Sequence, residues 1–412
     1  MSPSDSIPDF YTGSPIEPSD LWFREEFIAE LWEILDRQHG LLTAPRRTGK
    51  TSVMDHLAAF PQHGFSTISV FVQDLDHPGE FILTLLDAFH DRHPNLFSQV
   101  LAAGWRWAES VLGRLKEIGG GGFKVALREQ EPDWLEHWKR HGDALFEQLR
   151  KADQRLLFIV DEFPDFILNM QRHHPELVRP FLGWFRGHRL QPRPKQDPVR
   201  WLLGGSVNLS STLDALGCLD EINDLHDERL PVLTDAEVVE FVDRMLRGRG
   251  VELEDGFPIA VAARIGRPVP LFLQMITQDL YRIWKRNHRP LVNADLDTAY
   301  GELLVSSAAR DKLQHYYSRI AQYYDEPKRS AAYEILSKLS VCHDGIERTG
   351  LSQTFDHVIF EHDPALPTHE RKRRFNQLLR DLENDFYIAE LPDGRFDFAS
   401  GLLKDWWRKY YA

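Results

Sequence analysis

The stretch from Leu41 to Ser52, LLTAPRRTGKTS, decides the fold. It begins with an apolar segment typical of a buried strand. The residues from Ala44 to Thr51 match the phosphate-binding pattern G-x-x-x-x-G-K-S/T, with Ala44 in place of the first glycine. In such a strand–turn–helix unit, backbone N–H groups and the helix dipole face a phosphate. A chance G-K-T in an unrelated loop is the alternative, which this setting disfavours, so the stretch predicts a nucleotide site.

The residue types of this turn have separate expected roles. Gly49 lets the backbone approach the phosphates, Lys50 reaches the β- and γ-phosphates, and the Thr51 hydroxyl holds Mg²⁺. Ala44 lacks the conformational freedom of glycine, but it follows a strand directly, so an extended conformation suffices there. The residues expected to contact the nucleotide are Ala44, Pro45, Arg46, Arg47, Thr48, Gly49, Lys50, Thr51 and Ser52.

A second motif lies in the stretch from Arg155 to Asp165, RLLFIVDEFPD. Its apolar run ends at Asp161 and Glu162, so a buried strand would deliver two carboxylates at its carboxyl end, where ligands of open α/β sheets bind. Asp161 is expected to orient Mg²⁺ through water, and Glu162 to polarise the attacking water. An acidic turn after a core strand is the alternative, which the phosphate-loop motif upstream disfavours.

Strands and helices alternate over residues 40–233 and predict a parallel sheet with right-handed crossovers. The segment at about 100–150, which contains Gly119 to Gly122, is expected to be an insertion. Ser206 follows the fourth strand, where a polar side chain is a candidate sensor of the γ-phosphate and an ordinary turn is an equal alternative. The five expected strands lie at 41–43, 66–72, 156–160, 199–205 and 230–233.

The pattern becomes helical from Thr234, which forms a capping-box pair with Glu237. An all-helical lid is expected over 234–306. The last segment, 307–412, shows helices followed by two short strands around a Pro-Asp-Gly turn, an outline typical of a winged helix. The predicted fold is therefore α/β, with a parallel five-stranded P-loop NTPase core over 1–233, followed by the lid and a winged-helix domain.

Composition bounds the class of protein. The 412 residues are 42% hydrophobic, which suffices for a sizeable core. The net charge of −14 gives no overall attraction to nucleic acid, but a local basic face is compatible with it. Cys218 and Cys342 are the only cysteines, so a disulfide framework is excluded, and no zinc-site spacing of histidines or cysteines occurs. Without a signal peptide or an apolar run of about 18 residues, the chain is expected to be soluble and cytoplasmic, with no membrane contact.

Together these motifs make the chain resemble the P-loop ATPases of the AAA+/STAND group, in particular the archaeal ATPase type, over nearly its whole length. Three weaker motifs add to the resemblance: W-F-R-E at 22–25, G-G-S at 204–206 and G-R-P at 266–268. The resemblance implies ATP or ADP with Mg²⁺ as ligands. It also implies a place beside the adenine for Phe23 and Arg24.

The G-R-P motif has a further implication under this resemblance. Pro268 is expected to pack on the nucleotide. Arg267 is either a sensor of the γ-phosphate or an exposed cap residue, with equal weight.

The chain departs from the family pattern at the arginine finger. The segment after the sensor strand, 219–228, is acidic and offers no clear finger. Arg229 is the nearest candidate, while Arg186 and Arg189 precede that strand. Because an arginine finger is worth about 10³–10⁵ in rate, its absence predicts slow turnover.

We therefore expect a slow ATPase that acts as a nucleotide-controlled switch on a partner protein or effector, and an oligomer is compatible with this class. The alternatives are an initiator-like ATPase that binds DNA through its winged helix, and a nucleotide-binding scaffold that barely hydrolyses. The DNA alternative rests on a basic run where a recognition helix would begin. A solvated basic face, or one that docks an acidic patch of the same protein, is the favoured explanation of the run, given the net charge of −14. The run is Arg371, Lys372, Arg373 and Arg374.

Overall fold

The computed structural model describes most of the chain, and Gly119 to Gly122 of the expected insertion lie outside the described residues. The described residues are 7–12, 15–45, 47–102, 133–151, 154–190, 197–205, 209–267 and 269–412.

Backbone proximity divides the chain into two compact units, and each is described by itself. We call the first the core unit; it comprises Glu17–Ala44 and Lys50–Leu230. We call the second the C-terminal unit; it comprises Met1–Ile16, Pro45–Gly49 and Pro231–Ala412.

A five-stranded parallel sheet forms the centre of the core unit. Its strands, in chain order, are β1 (Gly40–Thr43), β2 (Phe65–Phe71), β3 (Arg155–Asp161), β4 (Val199–Gly205) and β5 (His226–Arg229). Across the sheet the order is β2-β3-β4-β1-β5. Because all strands run the same way, the carboxyl ends of β1, β3 and β4 meet at one edge. β3 and β4 are buried along almost their whole length, as expected for strands covered on both faces.

The fifth strand differs from the expectation, because the run at 230–233 is not a strand. The strand is the preceding β5, which pairs with β1 from His226 opposite Gly40 to Arg229 opposite Thr43. β5 lies at the edge of the sheet, so its residues alternate between half-buried and exposed, and polar side chains are tolerated. The apolar run at 230–233 was therefore the wrong signal for this strand.

Helices bury two apolar clusters on the core unit's sheet. One cluster includes Trp32 and Val53, and the other includes Phe81, Phe166 and Phe181. The helices of this unit are α1 (Glu25–Arg37), α2 (Lys50–Ala59), α3 (Pro78–Arg92), α4 (Pro94–Ala102), α5 (Trp138–Lys151), α6 (Phe163–His173), α7 (Pro175–Leu190) and α8 (Leu209–Ala215).

The C-terminal unit is mainly helical and starts with the predicted capping box. Thr234 Oγ1 accepts a hydrogen bond from the Glu237 N–H at 3.2 Å, and the Glu237 carboxylate accepts one from the Thr234 N–H at 2.6 Å. The helices of this unit are α9 (Asp235–Arg247), α10 (Phe257–Ile265), α11 (Pro270–Asn287), α12 (Asn293–Val305), α13 (Ser307–Tyr323), α14 (Lys328–Val341), α15 (Arg348–His362), α16 (Thr368–Asn384) and α17 (Gly401–Tyr411).

A small antiparallel sheet completes the C-terminal unit. Its strands are β6 (Ile346–Glu347), β7 (Ile388–Glu390) and β8 (Arg395–Phe398), in the order β6-β8-β7. The hairpin of β7 and β8 follows the helices, as the sequence predicts. A five-stranded parallel α/β core followed by a helical region confirms the predicted fold class. In the part of the chain that the structure describes, no helix has the length and apolar character needed to cross a bilayer.

Candidate functional site

The start of helix α2 and the acidic pair come together within the core unit, at the carboxyl edge of the parallel sheet. β1 leads through the loop into α2, and β3 ends at Asp161, with β4 between these two strands. The Lys50 ammonium is in direct contact with Asp161 Oδ1. The Thr51 hydroxyl donates a hydrogen bond to Asp161 Oδ2 at 2.8 Å. Two motifs 111 residues apart in the chain thus share one carboxylate.

The loop itself has the open backbone that a phosphate requires. Gly49 has φ +99, and a Cβ built there would have no atom within 4 Å, so this side of the turn is free of protein atoms that the structure describes. The Thr48 hydroxyl donates to the Pro45 carbonyl at 2.6 Å and braces the turn. The helix α2 begins at Lys50, so its unpaired N–H groups and positive dipole end lie in this segment.

Ala44 is compatible with this loop because its backbone does not need the glycine-specific conformation. Ala44 is buried and is not among the described residues with positive φ. The left-handed conformation falls instead on Arg47, with φ 66, and on Gly49. Arg46 lies outside the described residues.

Glu162 is held in an unusual conformation beside Lys50. Its φ of 58 and ψ of 37 are left-handed, which costs a non-glycine residue on the order of 1–3 kcal/mol. Its Oε1 lies 3.5 Å from Lys50 Nζ. Its Oε2 is buried and accepts no hydrogen bond from any described residue. A buried carboxylate oxygen with a vacant lone pair is placed to accept a hydrogen bond from a water or a ligand.

The site carries more negative than positive side-chain charge. Lys50 is the cation, and it faces Asp161, Glu162 and the nearby Asp165, whose charge also acts on the ammonium. Burial lowers the pKa of Lys50, and the Glu162 and Asp165 carboxylates oppose that shift. Three carboxylates against one ammonium leave an excess of about two negative charges, which a divalent cation would neutralise.

The residues present fit Mg²⁺. Thr51 and Asp161 offer a hydroxyl and a carboxylate, both hard oxygen donors, 2.8 Å apart. Mg²⁺ is usually held by one or two protein oxygens together with phosphate oxygens and water, so a complete protein cage is not required. Among the described residues, no group of three or more histidines, cysteines or carboxylates is arranged to hold a metal by itself.

Two glycines in β4 make room for Asp161 and for the nearby Pro164, a role that the sequence did not reveal. A Cβ on Gly204 would lie 2.6 Å from Met54 Sδ and 2.9 Å from Asp161 Oδ1. A Cβ on Gly205 would lie 2.6 Å from Pro164 Cγ. Consecutive glycines in a buried strand were the available signal, because glycine in a strand often marks a close approach.

For the other predicted site residues that it describes, the structure gives the conformation or the burial. Phe23 has a left-handed φ of 60, and Arg24 is buried and donates to the Phe23 carbonyl at 3.3 Å. Ser52 is buried in α2, and Arg267 is exposed after Gly266. Ser206 and Pro268 lie outside the described residues. The structure thus brings together four of the predicted side chains, which are Lys50, Thr51, Asp161 and Glu162.

The three candidate arginine fingers differ in their exposure and in their hydrogen bonds. Arg189 is only 1% exposed and donates two hydrogen bonds to the Asp224 carboxylate, at 2.7 and 2.9 Å. It is therefore committed to an internal ion pair. Arg186 donates to the Asn223 side chain at 2.9 Å, and Arg229 is exposed on β5.

Comparison with known proteins supports the fold that this geometry indicates. No family model matches the chain, and no curated protein matches its sequence. Among solved structures, the chain is similar to the Walker-type ATPase paby2304 of Pyrococcus abyssi, with a TM-score of 0.60, 16% identity, and coverage of 97% of this chain and 99% of that one.

The chain is also similar to the Orc2 protein of Aeropyrum pernix, solved as ADPNP–ADP complexes. The TM-score is 0.50 at 14% identity, and the match covers 96% of this chain and 92% of that one. At these identities the likeness is one of fold. The chain has the fold of the P-loop ATPases.

Proposed function

We propose that this chain is an ATP-binding, Mg²⁺-dependent ATPase of slow turnover, and that it acts as a nucleotide-controlled switch on a partner protein. The observation that carries the proposal is the convergence of Lys50, Thr51, Asp161 and Glu162 at the carboxyl edge of the sheet. Each of these side chains supplies a function that phosphoryl transfer needs. The similar Orc2 structure of A. pernix contains ADPNP and ADP, which makes an adenine nucleotide the natural ligand to test.

The catalytic groups have distinct proposed roles. Lys50 binds the β- and γ-phosphates, and Thr51 with Asp161 holds Mg²⁺, which neutralises phosphate charge when bound. Glu162 uses its unpaired carboxylate oxygen to orient the attacking water. Ser206 is proposed to sense the γ-phosphate.

The other binding residues keep their proposed places. The turn from Ala44 to Ser52 wraps the phosphates through its backbone N–H groups. Phe23 and Arg24 bind near the adenine, and Arg267 and Pro268 contact the nucleotide. The proposed domains are the ATPase core at 1–233 with its insertion, the lid at 234–306 and a winged helix at 307–412.

The ligand-free contacts suggest how nucleotide would change the site. Asp161 receives the Lys50 ammonium, the Thr51 hydroxyl and the Glu162 N–H, the last at 2.8 Å. A nucleotide that draws Lys50 to its phosphates frees one carboxylate oxygen for Mg²⁺. The same residues therefore have two alternative sets of partners, which is the requirement for a switch.

The proposed slow turnover is supported by Arg189, which is buried and paired. Arg189 would have to break a buried, doubly hydrogen-bonded ion pair with Asp224 to reach a phosphate. Losing such a partner typically costs about 3–5 kcal/mol. An arginine supplied by a partner or a second copy would then accelerate hydrolysis, on the order of 10³–10⁵-fold.

The test is steady-state phosphate release with ATP and Mg²⁺. We expect turnover in the wild type and its loss in Lys50→Ala and Glu162→Gln. Glu147→Gln is the matched control, because Glu147 is an exposed carboxylate on α5 of the same unit. Binding without turnover in the wild type would point to a switch that waits for its partner. Failure of the wild type to bind ATP would refute the proposal.

A second candidate function is DNA binding through the basic run on α16. Lys372, Arg373 and Arg374 are exposed, so they are accessible to phosphates. However, Arg373 and Arg374 donate to Glu370 at 2.8 and 3.0 Å, and these hydrogen bonds lower the pKa of Glu370 to about 2. Part of the run's charge is therefore already paired within the helix.

The DNA candidate is tested by fluorescence anisotropy of a labelled duplex at two salt concentrations. If α16 contacts the backbone, Lys372→Glu/Arg373→Glu weakens binding and reduces its salt dependence. Absence of wild-type binding at about 100 mM salt would exclude this candidate.

A further inference from the structure

The helix α13 carries a row of basic side chains that the ATPase site does not use. Lys312, His315 and Arg319 recur at helical spacing and line a small pocket. Tyr316 on the same helix, Asp385 after α16 and Arg47 complete the lining. All six residues belong to the C-terminal unit.

Arg319 is the most unusual member of this pocket. Its side chain is 4% exposed, and none of its three guanidinium nitrogens donates a hydrogen bond to any residue that the structure describes. Its Nη2 lies 3.7 Å from Asp385 Oδ1, beyond hydrogen-bond distance, and its guanidinium lies 4.4 Å from the Tyr323 ring centre. Because a buried charge without hydrogen bonds is costly, these donors point to a missing acceptor.

The pocket also has a surplus of positive charge. Arg47, Lys312 and Arg319 face the Asp385 carboxylate, whose Oδ2 already accepts a hydrogen bond from the Tyr324 hydroxyl at 3.1 Å. Three cations and one anion leave a net charge of about +2 before His315 is counted. Burial lowers the pKa of Lys312, and the positive charge of Arg47 lowers it further because like charges repel.

We propose that this pocket binds a phosphoryl anion, supplied either by inorganic phosphate or by the phosphate chain of a nucleotide. A dianionic phosphate matches the surplus charge. The enclosed space of about 10 Å³ has room for about one water, so the flexible side chains of Arg47 and Lys312 must move apart to admit the anion. Arg319 would donate in parallel from its planar guanidinium, while Lys312 would act as a point charge. A planar monoanionic carboxylate would leave positive charge uncompensated.

Arg47 gives this site a regulatory consequence. It belongs to the phosphate loop and adopts a left-handed conformation, so an anion that holds its side chain also biases the backbone of that loop. With free phosphate as the ligand, the site is independent of the proposed ATPase function. With a nucleotide phosphate as the ligand, the site rests on that function and deepens it.

The experiment separates this pocket from the phosphate loop by using the full-length Lys50→Ala variant. Inorganic phosphate is titrated by isothermal calorimetry, with thermal unfolding as a second readout and circular dichroism as the check on folding. Lys312→Ala/His315→Ala and Arg319→Met are each added to this background. Lys409→Ala is the matched control, because Lys409 is an exposed lysine on α17 of the same unit, outside the pocket.

We expect phosphate to bind and to raise the melting temperature of Lys50→Ala and of its Lys409→Ala derivative. The dissociation constant should rise at least about tenfold in the Lys312→Ala/His315→Ala derivative, equivalent to about 1.4 kcal/mol. Arg319→Met should abolish the response while the protein remains folded. Failure of Lys50→Ala to bind phosphate, or an unchanged affinity in the pocket variants, would overturn the proposal.

Competition identifies the source of the anion. A non-hydrolysable ATP analogue is added to wild-type protein with and without inorganic phosphate. If their stabilising effects add, the pocket takes free phosphate. If phosphate and the analogue compete, and Lys312→Ala/His315→Ala weakens binding of the analogue, the pocket takes a nucleotide phosphate. If the analogue does not bind at all while Lys50→Ala binds phosphate, the proposed ATPase function fails and the phosphate pocket stands.

Discussion

Replacing Gly204 by alanine tests the geometry of the acidic pair without touching a charged group. The new Cβ would lie 2.6 Å from both Met54 Sδ and Met54 Cε, and 2.9 Å from Asp161 Oδ1. Ordinary van der Waals contacts begin near 3.5 Å, so both neighbours must move by roughly 1 Å. Met54 has a flexible end that can yield, whereas Asp161 is held by Lys50 and Thr51.

The expected loss of stability in Gly204→Ala follows from overpacking. Inserting a methyl group into a close-packed interior costs about 1–3 kcal/mol. For a unit of about 200 residues, this corresponds to a fall in melting temperature of roughly 2–12 °C. The displaced Asp161 should also weaken Mg²⁺-dependent nucleotide binding, and that loss should exceed any loss measured without Mg²⁺.

The assay combines thermal unfolding with titration of a fluorescent ATP analogue, in Mg²⁺ and in EDTA. Gly187→Ala is the matched control, because a Cβ there meets no atom within 4 Å and the residue lies within α7. Alanine in a helix interior should stabilise by about 0.5–1 kcal/mol. If Gly204→Ala keeps the wild-type melting temperature and Mg²⁺-dependent affinity, the close approach at β4 does not constrain the site.

Two further predictions concern stability. His39 is 1% exposed, its Nδ1 accepts from the Trp201 N–H at 3.2 Å, and its Nε2 contacts the Arg189 carbonyl at 3.0 Å. Burial lowers its pKa to about 4, below the value near 6.5 of the unfolded chain, so the unfolded state takes up a proton first as pH falls. Neutral His39 therefore contributes up to about 3 kcal/mol to the free energy of unfolding above pH 6.5, and this contribution is lost as the pH falls towards 4. Urea unfolding between these pH values should show a shallower pH dependence of the free energy of unfolding in His39→Gln than in the wild type. An equal pH dependence in the two proteins would contradict the lowered pKa of His39. Thr234→Ala should lower the free energy of unfolding by about 1 kcal/mol, because it removes the N-cap of α9. Denaturant unfolding measures this loss, and Thr298→Ala on the exposed face of α12 is the control, which should be nearly neutral. Equal losses in the two variants would argue against a stabilising cap at Thr234.

The sequence by itself determined the features that depend on neighbouring residues. The phosphate loop, the apolar run before Asp161 and the capping box at Thr234 are encoded within a few consecutive positions. Backbone propensity, turn chemistry and side-chain periodicity act over that range, so these elements and the fold class could be predicted. The order of loop motif, acidic pair and helical segment was also sufficient to predict the fold of a P-loop ATPase.

Only the tertiary structure decided which distant residues share a contact. The polar segment β5 is a strand because it pairs with the edge of β1. The intrinsic strand propensity of its residues does not reveal this pairing. Asp161 meets Lys50 because β3 and β1 end at one edge, and it fits there because Gly204 on the intervening β4 lacks a side chain. Arg319 and Asp385 come close through the packing of the C-terminal unit. Such pairings depend on how elements pack, and packing is a property of the folded chain that no local stretch of sequence contains.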